Sequence, residues 1–96
     1  MIKIAVCGAA GRMGQRIIVA AREAGCEISG ALERPGHELV GQDAGLIAGC
    51  GNLGVAITDD LNKVVEGCDV LIDFLFQIRH FHVLNNSLSV VFIKFV

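Results

Sequence analysis

No two of the four cysteines form a C-x-x-C pair: Cys7, Cys26, Cys50 and Cys68 stand far apart in the chain. Without clustered Cys or His spacing there is no ligand set for a structural zinc ion. In a reducing cytosol such thiols read as small buried hydrophobes. His37 follows a turn and reads as exposed, while His80 and His82 would share one face of a strand with no third ligand beside them. No metal site is expected. Lysine and arginine are few and scattered and the net charge is −2, so there is no electrostatic footprint for nucleic acid. No apolar stretch is long enough to cross a bilayer. The chain does not open on a basic stretch, an apolar run and a small-residue cleavage site, so no secretory signal is visible. These absences leave a soluble, cytoplasmic protein as the expectation. Its 96 residues suffice for one domain with a modest core.

What is there begins at once. A strand-like run, Ile2-Lys3-Ile4-Ala5-Val6-Cys7, opens into Gly8-Ala9-Ala10-Gly11-Arg12-Met13-Gly14. Gly8 suits a tight turn, Gly11 a close approach to a pyrophosphate, and Gly14 a helix lying tight on the strand. The helix that starts there would aim free N–H groups and a positive dipole end at the phosphates. The G-x-x-G-x-x-G spacing departs from the commoner G-x-G-x-x-G, so the glycines carry little by themselves and the context decides. From Arg12 to Ala24, residues Met13, Ile17, Ala20, Ala21 and Ala24 recur at helical spacing, with Gln15, Arg16, Arg22 and Glu23 on the other side. Gly25 fits a left-handed helix end. Cys26 to Leu32 reads as a second strand, ending at Glu33-Arg34-Pro35-Gly36. Glu33 comes nineteen residues after Gly14, where this motif needs an acid for the adenosine ribose hydroxyls. Arg34 beside it has the forked donors for a 2′-phosphate. The alternative is that Glu33 and Arg34 are solvated turn residues.

Gly41, Gly45, Gly49, Gly51 and Gly54 then break up any long element, leaving room for a helical turn around Asp43 to Ile47. Val55 to Thr58 reads as a third strand. Asp59 or Asp60 would cap a helix through Leu61, Val64 and Val65 that ends at Gly67. Asp69 to Phe74 is apolar on both faces, as a central parallel strand should be. The fold expected is α/β, the N-terminal half of a Rossmann-like doubly wound parallel sheet. Phe74 falls beside the nicotinamide end of the crevice, or else in the core. An incomplete sheet would leave this fourth strand with an exposed edge, inviting association or an unstable fold.

Composition changes after Phe74. All twelve glycines, ten alanines and ten acidic residues precede residue 75. Residues 75–96 hold four of the five phenylalanines, and Ser89 to Val96 combines strand propensity with low charge and no proline. Two readings stand. Either this is one more buried strand with Asn85-Asn86 as a turn, or it is a tail unrelated to the domain, produced by truncation or a frame change near codon 75. The domain division expected is an incomplete dinucleotide-binding domain at 1–74 and an atypical hydrophobic tail at 75–96.

Four segments carry a resemblance to the N-terminal domain of the bacterial 4-hydroxy-tetrahydrodipicolinate (dihydrodipicolinate) reductases. They are Ile4 through Gly14, Ala31-Leu32-Glu33-Arg34, Gly41-Gln42-Asp43-Ala44-Gly45 and Val70-Leu71-Ile72-Asp73-Phe74. The resemblance implies an NAD(P)H-dependent oxidoreductase of lysine and diaminopimelate biosynthesis, homo-oligomeric at full length. It implies that Gly8, Ala9, Ala10, Gly11, Arg12 and Met13 hold the pyrophosphate. It also implies that Glu33 contacts the ribose and Arg34 the 2′-phosphate, so that NADPH and NADH are both accepted. Where the family continues I-D-F with threonine and Pro-Glu, Leu75-Phe76-Gln77 stands here. The family's later nicotinamide cradle and its substrate domain have no counterpart in these residues. No catalytic role is carried onto His80 or His82, and the family substrate is not expected to bind. The competing expectations are a non-catalytic nucleotide-binding fragment, or part of another Rossmann dehydrogenase such as homoserine dehydrogenase.

Overall fold

The computed structural model describes residues 1–73 and 89–92. Phe74, Leu75-Phe76-Gln77, His80, His82 and Asn85-Asn86 lie outside these residues, as do Ile93 to Val96. Strand β1 (Lys3–Cys7) leads into helix α1 (Arg12–Glu23), then β2 (Glu27–Leu32), α2 (Ala44–Ala48), β3 (Ile57–Thr58), α3 (Leu61–Glu66), β4 (Val70–Asp73) and β5 (Ser89–Phe92). All strand pairings are parallel, in the order β3-β2-β1-β4-β5. This is the doubly wound α/β arrangement that the strand–turn–helix alternation predicts.

The two faces follow from strand periodicity. Val6 points into an apolar cluster with Ile18, Ala21, Ile28, Ala31, Ala44 and Ile57, under α1 and α2. Its neighbours Ala5 and Cys7 point the other way, into a second cluster with Leu32, Val64 and Leu71 under α3. In β2 the register slips by one residue opposite Ile4 and Ala5, pairing Ile28 with the first and Gly30 with the second. The extra residue, Ser29, lets Ile28 and Gly30 serve opposite faces. Gly30 lies beneath Val64, whose Cγ1 would stand 3.1 Å from an added Cβ, so α3 sits down on the sheet there.

Helix α1 presents Gly14, Ile18 and Ala21 to the core, while Ala20 and Ala24 are exposed and Met13 and Ile17 half-buried. Of the stripe expected through Met13, Ile17, Ala20, Ala21 and Ala24, only Ala21 is fully buried, so the buried face is rotated toward Gly14 and Ile18. Close contact at Gly14 sets this rotation, because only a residue without Cβ fits against Gly8. At the far end Gly25 takes φ 83°, and its N–H and that of Cys26 return to the carbonyls of Arg22 and Ala21. That double closure satisfies the last carbonyls of the helix.

Strand β3 is shorter than Val55 to Thr58. The Val55 N–H is diverted to the Asp43 carboxylate, and Ala56 forms an antiparallel bridge with Asp43. Strand β4 is not the edge of the sheet. Residues Val70 to Asp73 pair with Ser89 to Phe92, which supply the fifth strand that the high strand propensity of that segment favours.

Candidate dinucleotide-binding site

In a parallel sheet all strands end on one side, and the chain reverses strand order between β1 and β4. Ligands bind in the crevice outside the carboxyl ends at such a switch point. The loop from Gly8 to Gly11, the tip of β2 at Glu33 and the end of β4 at Asp73 meet there.

The loop is built mostly from its own backbone. The N–H groups of Gly8 and Ala9 both donate to the Leu32 carbonyl, at 2.8 and 3.2 Å, tying the turn to β2. Gly8 turns with φ 75°, a conformation that suits glycine. Gly11 N–H donates back to the Gly8 carbonyl, and Gly11 has ordinary extended angles as the residue that caps α1. Its backbone therefore does not by itself require glycine. Gly14 answers to space outright: a Cβ there would overlap the Gly8 carbonyl oxygen and the Ala9 backbone.

Glu33 is 6 % exposed. One carboxylate oxygen accepts from the Ala10 N–H at 3.0 Å and the other from the Arg34 N–H at 3.2 Å. Of the seven amides from Gly8 to Gly14, those of Gly8, Ala9, Ala10 and Gly11 are thus already engaged. Those of Arg12, Met13 and Gly14, the first turn of α1, have no acceptor among the described residues. They are the orphan donors of a helix N-terminus, next to the positive end of its dipole.

The expected site residues converge. Gly8, Ala9 and Gly14 are buried, Ala10, Gly11 and Met13 half-buried, and Arg12 and Arg34 exposed. A cavity of about 180 Å³ at the carboxyl edge is lined by Leu32, Glu33, Arg34, Pro35 and Asp59. Larger hollows of about 400 and 470 Å³ lie along the solvent face of α1 and beside β3. Neither is at the switch point. Phe74, expected by the nicotinamide, lies outside the described residues.

These residues fit a dinucleotide. Three free amides suit a diphosphate. Glu33 has two of its four or so acceptor positions occupied by the Ala10 and Arg34 amides. Arg34, next in the chain, is exposed and lines the same cavity. Sequence reading did not single out Gln15, whose side-chain amide donates to the Ala10 carbonyl at 2.8 Å. Nor did it single out Asp59 as part of the cavity wall. Neither carries a sequence signal beyond being polar.

Beneath the loop, burial pushes the Cys7 thiol up to about 12, helped by the negative charges of Asp73, Cys68 and Glu33. Cys7 is therefore an inert member of the apolar cluster under α3. All four cysteines are free thiols.

Comparison with known proteins identifies the family. The family model described as "Dihydrodipicolinate reductase, N-terminus" matches residues 2–88. A 4-hydroxy-tetrahydrodipicolinate reductase of Geobacter sulfurreducens is 92% identical over 74 residues, covering 77% of this chain and 28% of the relative. That of Geobacter metallireducens is 89% identical with the same coverage. Among solved structures, an amine dehydrogenase from Mycobacterium smegmatis superposes with a TM-score of 0.67 at 32% identity, over 77% of this chain and 22% of its own. The chain thus spans little more than a quarter of the length of the curated relatives it matches. The family model covers most of the chain, which belongs to the dihydrodipicolinate reductase N-terminal family.

Proposed function

We propose that this chain binds NADPH and NADH as the cofactor-holding part of a 4-hydroxy-tetrahydrodipicolinate reductase, in the cytoplasm. We propose also that its 96 residues do not reduce the substrate by themselves. One observation carries the binding reading: three unoccupied amides, of Arg12, Met13 and Gly14, open beside a buried carboxylate at the tip of the neighbouring strand. The amides would receive the diphosphate. Glu33 would accept from the ribose hydroxyls, which fixes the adenosine end. Arg34 would pair with a 2′-phosphate, while Asp59 on the same cavity wall would oppose its charge, so neither cofactor is excluded. When bound, the cofactor supplies a hydride, and the protein's part is orientation. Substrate reduction needs groups that polarise the substrate and deliver a proton, and none of the residues of this site has that role. Full-length relatives would supply those groups and the surfaces for homo-oligomerisation.

Calorimetric titration of the chain with NADPH and with NADH is expected to give heat in both cases. Arg34→Ala should weaken NADPH about tenfold, the scale of one exposed charge-assisted contact, and leave NADH unchanged. No NADPH oxidation is expected when freshly generated substrate is added. Absence of heat with both cofactors would overturn the binding reading, and family-like turnover would overturn the second proposal.

A further inference from the structure

Residue Ala10 is gripped through both of its peptide groups. Its N–H donates to Glu33 at 3.0 Å, and its C=O accepts from the side-chain amide of Gln15 at 2.8 Å. One grip stands on the tip of β2 and the other on the first turn and a half of α1. Between them runs the only part of the glycine-rich loop whose backbone is held by side chains on both sides.

The consequence concerns where negative charge sits. A carbonyl oxygen in this loop carries a partial negative charge, and the neighbouring amides of Arg12, Met13 and Gly14 are the donors left open. Were the Ala10–Gly11 peptide plane to rotate, its oxygen could turn toward those donors, competing for them and repelling a phosphate. In that plane the oxygen is held by Gln15 and the Gly11 N–H by the Gly8 carbonyl at 3.1 Å, so the rotation requires breaking two hydrogen bonds. We infer that Gln15 is a positioning residue for the diphosphate of the cofactor: it acts through the Ala10–Gly11 peptide, by keeping that carbonyl off the anion. The inference rests on the nucleotide-binding reading above. It extends that reading to a residue that need not touch the ligand.

The test separates the phosphate end from the adenosine end. Wild-type chain and the variants Gln15→Met and Gln15→Ala are titrated by NMR with ADP, which carries a diphosphate, and with adenosine, which carries none. Gln15→Met keeps the length and the apolar stem and removes only the donor; Gln15→Ala covers the case in which methionine packs badly. Loss of one neutral hydrogen bond should weaken ADP about two- to tenfold, while adenosine binds as before. Unchanged ADP affinity in both variants overturns the inference. So does a matched weakening of ADP and adenosine, which would mark a general loosening of the fold. A wild-type chain that binds neither probe overturns the nucleotide-binding reading and this inference with it.

Discussion

A methyl group at position 14 has nowhere to go. It would meet the Gly8 carbonyl oxygen and the Ala9 backbone, and both are already fixed, Gly8 and Ala9 by their bonds to Leu32. Neither neighbour is a flexible side chain that can turn aside. Gly14→Ala should therefore push α1 off the loop and cost about 1–3 kcal/mol of stability, measured by urea unfolding. A neutral result would mean that the helix is not seated as described. Cys7 makes a contrasting case at the same scale. Its thiol is wholly buried and held in the protonated form far above neutral pH. The thiolate is the species that reacts with iodoacetamide. Under native, mildly alkaline conditions, peptide mapping should find Cys26 and Cys50, both half-buried, modified well before Cys7. Equal rates at all three would show that the loop opens readily.

At the scale of elements, Asp43 explains why a glycine-rich stretch holds a shape. Its carboxylate accepts from the N–H groups of Leu46, at the start of α2, and of Leu53 and Val55, at the far end of the loop. Gly45 completes the fit, since a Cβ there would strike the Gly51 carbonyl oxygen and Leu53. The Leu53 N–H above all, with those of Leu46, Val55 and Gly45, holds the Asp43 carboxyl below its ordinary range. A carboxyl lowered in the folded chain contributes stability above its unfolded value, and that contribution fades as pH falls through the folded value. Asp43→Asn should lower the urea midpoint at neutral pH, and the gap to wild type should narrow on acidification. A gap that does not change with pH would disprove the carboxylate's part. Such clasps mark what sequence reading can reach. The helical turn from Asp43 was legible, and so were the strand into Gly8, the Gly25 stop and the place of Glu33 after β2, because each depends on neighbours in the chain. The bonds from Asp43 to Leu53 and Val55 were not, since they depend on how a loop returns. The rotation of α1 onto Ile18 was missed for the same kind of reason: alanines and isoleucines line much of the helix, and only the contact between Gly14 and Gly8 chooses among them.

For the whole molecule, the question is whether so short a sheet holds together. Domains of this size bury a smaller share of their surface than larger ones and are correspondingly marginal. Three features work in its favour. Strand β1 has partners on both sides, β2 and β4, and its side chains feed the clusters on both faces. The outer edge of β3 is covered in part by the returning chain, through bonds between Gly41 or Gln42 and Ile57 and between Ala44 and Val55. The outer edge of β4 is taken by Ser89 to Phe92, so the composition change after Phe74 does not leave that strand unpaired. Protection in hydrogen exchange should then be graded. Amides of Ala5 to Cys7 lie at the centre and should exchange only on global unfolding. Amides of α3, a helix of six residues on the outer layer, should open locally and exchange at least about tenfold faster. Rapid and uniform exchange throughout residues 1–73 would mean that this sheet is not stable by itself. The orphan amides of α1 would then have no fixed position from which to receive a diphosphate.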